Sequence, residues 1–155
     1  MLIQGKYLYY GDDLSEVNHI RTEVFCKEIG IKEQDEKDKL DMNSVHVLVL
    51  SCDESREPVA TGRITFDGNT FLITKVCVLK EERNKYYGDF AVRMLANKAF
   101  LSGAKEVIVE TYTENIKFYE KIGFIIQGNS YQKYDGEYVK LILKSENLCK
   151  KCDKK

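Results

Sequence analysis

Proline is almost missing from this chain. Pro58 is the only one among 155 residues, and tryptophan is absent altogether. With no proline-rich, serine-rich or low-complexity stretch there is no candidate linker, so the chain reads as one domain over residues 1–144 with a polar tail at 145–155. No apolar run reaches membrane-spanning length, and no basic segment followed by an apolar one opens the N-terminus; the expectation is a cytoplasmic protein with no membrane partner. Neither sign of charge predominates: 24 Lys and Arg face 25 Asp and Glu, for a net charge of −1. That leaves no global basic field and no basic aromatic platform for nucleic acid. The five cysteines (Cys26, Cys52, Cys77, Cys149 and Cys152) are an odd number without a secretory leader, and read as free thiols. Cys149 and Cys152 supply two zinc ligands where four are wanted, so no metal is expected. Of the two histidines, His19 has no neighbour that completes a metal or catalytic set.

What is present is an ordinary soluble composition, 43% apolar, in a chain long enough to bury a core. Lys6–Tyr10 reads as a first strand closed by Gly11-Asp12-Asp13, one of whose aspartates caps the following helix. Leu14, Val17, Ile20, Val24 and Phe25 give that helix an apolar face, with Glu16, Arg21 and Glu23 outward. Cys26 to Ser44 is polar and irregular, a solvated loop or a substrate-side loop. Val45–Ser51, Pro58–Phe66 and Phe71–Leu79 read as strands, with Gly62 marking a bulge or a close backbone approach. A helix from about Gly88 to Ser102 buries Phe90, Met94, Leu95, Ala99 and Leu101. Glu106–Thr111 is a further strand, parallel to Phe71–Leu79. A short helix around Tyr119 ends at Gly123, and Ile125–Tyr131 and Glu137–Leu143 form a terminal hairpin turned at Asp135-Gly136. Tyr131, Tyr134 and Tyr138 are a candidate aromatic wall.

The segment from Phe71 to Phe124 carries the chemistry. A strand that feeds a helix through a polar turn presents unpaired helical N–H groups and a dipole that favours an anion. The turn is Arg83-Asn84-Lys85-Tyr86-Tyr87-Gly88, and further on stands Phe118-Tyr119-Glu120-Lys121-Ile122-Gly123-Phe124. Together these resemble the core of the GNAT superfamily of N-acetyltransferases, in its small single-domain bacterial branch. The first residue and last glycine of the family's pyrophosphate turn match, with Tyr86 in place of the middle glycine; the second motif matches at every defined position. Ala60-Thr61-Gly62-Arg63 is also common in the family. So is the series Arg21-Thr22-Glu23-Val24-Phe25, Glu28, Glu36-Lys37-Asp38-Lys39-Leu40-Asp41 and His46, with Ile29 departing from it.

The resemblance implies an α/β fold: a mixed, mostly antiparallel sheet of six or seven strands with about four helices. It implies transfer of an acetyl group from acetyl-CoA to the primary amine of a small molecule or peptide, in one ternary complex. The backbone of Val76, Cys77 and Val78 would bond the pantetheine arm. Arg83, Asn84, Lys85, Tyr86, Tyr87, Gly88 and Asp89 would hold the pyrophosphate, with Arg83 and Lys85 adding charge-assisted bonds and Tyr86 giving its N–H at negative φ. Asn115 would stand in for the usual contact near Tyr112. Tyr119 would protonate the departing thiolate, since a phenol with a pKa of about 10 is well matched to an alkyl thiol. Glu28, Asp41 and His46 would line the acceptor pocket, and Glu28, Glu110 or His46 would serve as base. A homodimer is a family-level expectation. Tyr86, Tyr112 and Val139, at positions that usually serve ligands, also leave open a non-catalytic acyl-CoA-binding or partner-binding domain on the same scaffold.

Overall fold

The computed structural model describes residues 2–133 and 136–148. Seven strands form one sheet: β1 (Gln4–Leu8), β2 (Ser44–Leu50), β3 (Pro58–Asp67), β4 (Thr70–Val78), β5 (Glu106–Tyr112), β6 (Ile125–Lys133) and β7 (Gly136–Lys144). Their order is β1-β2-β3-β4-β5-β7-β6, and only the β4–β5 pair is parallel. Four α-helices accompany the sheet: α1 (Ser15–Arg21), α2 (Glu33–Glu36), α3 (Tyr87–Leu101) and α4 (Ile116–Ile122). The architecture is the mixed, mostly antiparallel one expected.

Alternation along the strands divides the core in two. Val47 and Val49 of β2, Ile64 of β3 and Val107 and Val109 of β5 face α3 and α4. Leu48 of β2 and Cys77 of β4 face the other way, where Val17, Ile20 and Val24 of the first helical segment cover them. Gly62 is required by the first layer: a Cβ there would stand 2.9 Å from Leu95 Cδ1 and 3.2 Å from Val76 Cγ2, so its absence lets α3 lie directly on β3. Gly123 is required at the end of α4, where φ is +124° and a Cβ would strike the Asn147 carbonyl.

Two expectations of exposure are reversed. Arg21 is 1% exposed, because it lies on the same helical face as Val17 and Val24 and finds carboxylates there. Leu101 is 86% exposed: the buried positions Ala91, Val92, Leu95, Ala96 and Ala99 define the face of α3, and Leu101 falls about half a turn from Ala99. At the N-terminus of α1, Asp13 accepts from the Ser15 amide (2.9 Å), while Asp12 turns back to the Tyr9 amide (2.7 Å). The helix then continues over Thr22–Glu28 with π-type pairing, the Ile29 amide donating to Val24 O at 3.0 Å. Cys26, Cys52 and Cys77 are free thiols, whereas Cys149, Cys152, Tyr134 and Asp135 lie outside the described residues.

Candidate active site

The two parallel strands part company. β4 pairs with β5 only where Phe71, Leu72 and Ile73 meet Val107, Ile108 and Val109, yet β4 runs on to Val78 and β5 to Tyr112. The cause is local. Opposite Gly62 the register slips, so that Lys75 and Val76 together face one residue of β3, and Lys75 takes φ +57°. Such a bulge bends its strand, and here the parting from β5 begins at the bulge. Beyond it no strand among the described residues pairs with the β5-facing edge of β4, and an extended ligand can take that place.

The turn after β4 leads to an uncapped helix. Lys80–Glu82 make one 3₁₀ turn, Asn84 and Tyr86 sit at φ +65° and +69°, and no side chain caps the N-terminus of α3. Tyr86 thus takes the left-handed conformation that a glycine would supply, not the negative φ expected, at a cost of about 1 kcal/mol; its ring is 73% exposed. A Cβ on Gly88 would come within 3.4 Å of Val78 and Phe118, so the start of α3, the end of β4 and α4 meet at this point. The charged side chains of the turn are engaged. Arg83 donates from Nε to Val78 O (3.0 Å) and from both Nη atoms to Glu28 (2.7 and 2.6 Å). Lys85 pairs with Glu82 (3.2 Å), and Asp89 accepts from Arg93 Nε (2.7 Å). The expected cofactor contacts of Arg83 and Lys85 would therefore require these pairs to open, and the Asp89 carboxylate is directed to Arg93, leaving its backbone N–H for an anion.

Tyr119 is buried on the α3/α4 side of the sheet, edge-on to Phe118 (centroids 4.9 Å apart) and Phe124 (5.3 Å). Desolvation by burial raises its pKa well above that of a free phenol. Asn115 donates to Thr111 Oγ1 at 3.0 Å. Glu110 is the first residue of β5 past the last β4 rung, and its side chain alternates with those of Val109 and Thr111, so it faces the opposite side of the sheet from Tyr119. It accepts from the Tyr131 hydroxyl and from Lys133 Nζ (2.6 Å). Burial raises the Glu110 carboxyl, but the Lys133 and Tyr131 hydrogen bonds outweigh it and the net shift is downward. Burial, with Glu110 beside it, pushes the Tyr131 phenol up to about 12. Next to this group the Tyr112 and Tyr138 rings pack at 4.5 Å. Of the aromatic wall, Tyr131 and Tyr138 thus lie on the Glu110 face of the sheet.

Glu28, Asp41 and His46 do not form one pocket. Glu28 is at the end of the π-helical segment, held by Arg83, whose hydrogen bonds keep its carboxyl below the usual range. Asp41 belongs to a buried ionic cluster instead. Arg21 meets Glu36 (2.6 Å) and Asp41 (2.9 Å), Arg63 meets Asp38 (2.7 Å) and Asp41 (2.8 Å), and Lys75 meets Glu36 (3.2 Å). His46, 1% exposed, lies beneath this cluster with Asp41 Oδ1 at 3.8 Å. Burial depresses its pKa, Asp41 notwithstanding. Arg63, Glu36 and Lys75 of this cluster, and Lys133 beside Glu110, are not among the site residues expected from sequence. The signal for Arg63 was a charged residue in the middle of an otherwise apolar and small-residue strand.

Cys77 packs against Val17, Ile20 and Leu48, and burial pushes its thiol up to about 12, which leaves it inert as a nucleophile. A surface cavity of about 940 Å³ lies at the far end of α3 between Phe66, Phe71, Lys98 and Lys105, and none of the expected site residues lines it. The described residues contain no group of three or more metal-ligating side chains, and no helix among them is long and apolar enough to cross a membrane.

The acetyltransferase (GNAT) family matches residues 14–124 of this chain. The uncharacterized N-acetyltransferase YjcF of Bacillus subtilis is 29% identical over 113 residues, covering 73% of this chain and 79% of that protein. Among solved structures, Escherichia coli ElaA superposes with a TM-score of 0.78 at 23% identity, over 92% of this chain and 100% of the other. A Bacillus anthracis protein crystallised in complex with acetyl coenzyme A gives a TM-score of 0.57 at 22% identity, over 66% of this chain and 62% of the other. The match spans the parted strands, the uncapped helix and Tyr119 alike, and the chain belongs to the GNAT acetyltransferase family.

Proposed function

We propose that this protein moves an acetyl group from acetyl-CoA to a primary amine within one ternary complex. The observation that carries the reading is the cleft: two parallel strands that separate at Thr74 and Glu110, next to an uncapped helix N-terminus. Acetyl-CoA fits the donor set. Amides at the start of α3 suit a pyrophosphate, and the unpaired edge of β4 suits an arm that carries its own amides. When bound, acetyl-CoA supplies an activated thioester carbonyl. The backbone of Val76, Cys77 and Val78 holds and orients the arm, and its N–H groups polarise the carbonyl. Tyr119, kept protonated by burial, donates from the α3/α4 side to the leaving sulfur. Glu110 faces the acceptor from the other side of the sheet. Held ionised by Lys133 and Tyr131, it orients the amine, and the proton the amine gives up as the amide forms passes to solvent water. His46, sealed under Asp41, is no candidate for the base. Bringing amine and thioester together from opposite faces lowers the entropic barrier.

Calorimetric titration with acetyl-CoA and CoA tests the cofactor site, and a screen of primary amines for thiol release tests the reaction. Tyr119→Phe is expected to lower turnover by roughly 10²- to 10⁴-fold, the usual worth of a positioned general acid, with CoA affinity retained. Binding without thiol release from any amine in the parent protein would favour the non-catalytic domain. No binding at millimolar cofactor would sink the acetyltransferase reading and leave a partner-binding domain on the same scaffold.

A further inference from the structure

The Arg83 guanidinium has two kinds of contact. Its Nε donates to Val78 O at 3.0 Å, tying the side chain to the last residue of β4. Its two Nη atoms form a fork on the Glu28 carboxylate at 2.7 and 2.6 Å. Glu28 comes from a different part of the chain, the end of the π-helical segment that covers the acceptor side of the sheet. Both side chains keep solvent access, 38% for Arg83 and 28% for Glu28. In the fold as it stands, a carboxylate of the acceptor side therefore occupies the cation of the pyrophosphate turn.

We propose that Glu28 competes with the cofactor's pyrophosphate for Arg83, so that cofactor binding releases the Glu28 carboxylate to the acceptor side. This rests on the acetyl-CoA reading above. The physical argument is one of magnitudes and charge. A solvent-accessible ion pair is weak, adding about 1.5- to 5-fold to an equilibrium constant, whereas a doubly charged pyrophosphate offers the same planar fork more acceptor oxygens and more charge. The Nε bond to Val78 O does not have to break for the two Nη atoms to change partner. Left in place, Glu28 puts a negative charge beside the incoming one. Once freed, it is an anion at the side from which a cationic amine arrives.

The test is the CoA affinity of Glu28→Gln, measured by calorimetry against the parent, with a thermal melt to show that both are folded. Competition predicts tighter binding, by about 2- to 5-fold. It also predicts that the gain vanishes when Arg83→Gln is the background, a double-mutant cycle that isolates the pair. If Glu28 were instead a strut that holds Arg83 ready for phosphate, Glu28→Gln would bind CoA more weakly. Weaker or unchanged binding in the variant, with the parent binding normally, overturns the competition and leaves the acetyl-CoA reading standing. Failure of the parent to bind CoA would remove both.

Discussion

Burial holds the His46 imidazole neutral against the pull of the Asp41 carboxylate 3.8 Å away, and the charges of Arg21 and Arg63 add to the effect. Charging a ring buried there costs free energy. The consequence for pH follows from its depressed pKa. The unfolded chain takes up a proton at this residue near pH 6.5, whereas the native protein resists until a lower pH. Stability is thus fully present above about pH 6.5 and falls as the solution is acidified through that value. Asp38 and Asp41, whose carboxyls are held low, add a second loss that begins only below about pH 4. Urea denaturation at pH 8, 6 and 5 is expected to show the first loss, and His46→Gln to flatten it. A parent whose stability is constant from pH 8 to 5 would contradict this account of the imidazole.

At the scale of elements, the cleft depends on one bulge and one close approach. The extra residue at Lys75–Val76 accompanies the turning of β4 away from β5, and Gly62 opposite it lets Leu95 bring α3 down on the sheet. The splay and the position of the helix whose N-terminus faces the cleft therefore meet at one place, Gly62 of β3 and the Lys75–Val76 bulge of β4 opposite it. Gly62→Ala would place a methyl 2.9 Å from Leu95 Cδ1 and 3.2 Å from Val76 Cγ2. Overpacking of that kind costs about 1–3 kcal/mol, and the helix moves with it. Chemical denaturation is expected to show the lost stability, and titration with CoA a weakened affinity. A variant as stable as the parent would mean that α3 can yield without cost.

Across the whole molecule, the sheet is two blocks joined by a short parallel seam. β1–β4 form one and β5–β7 the other, and they share only the rungs from Phe71–Val107 to Ile73–Val109. A ligand that pairs with the unpaired edge of β4 and settles on α3 adds contacts where the seam stops. Acetyl-CoA at 100 times its Kd is expected to stabilise the protein by about 2.7 kcal/mol, a rise in melting temperature of about 5–10 °C for a chain of this size. Hydrogen exchange locates the effect: protection is expected to grow at residues 74–78 and 110–112. Protection confined to the far end of α3, around the 940 Å³ cavity, would move the binding site there.

Local rules on sequence alone were enough for the strands and the long helices, because hydrophobic period and glycine punctuation are properties of neighbours, while the segment around Tyr119 was legible through its resemblance to a family. Arg21 is spaced four from Val17 and three from Val24, so its period places it inward, and only its charge suggested otherwise. What makes that burial tolerable is Glu36 and Asp41, brought in by a loop that lies 15 to 20 residues further along. No local rule pairs a charge with a partner at that distance. The same holds for Glu28 and Arg83, which are 55 residues apart and of which each was legible as a site residue. That they bind one another was decided only by the packing of the first helical segment beside the end of β4. Ion pairs, bulge register and the left-handed Tyr86 are set by which surfaces meet, and that is a property of the folded chain.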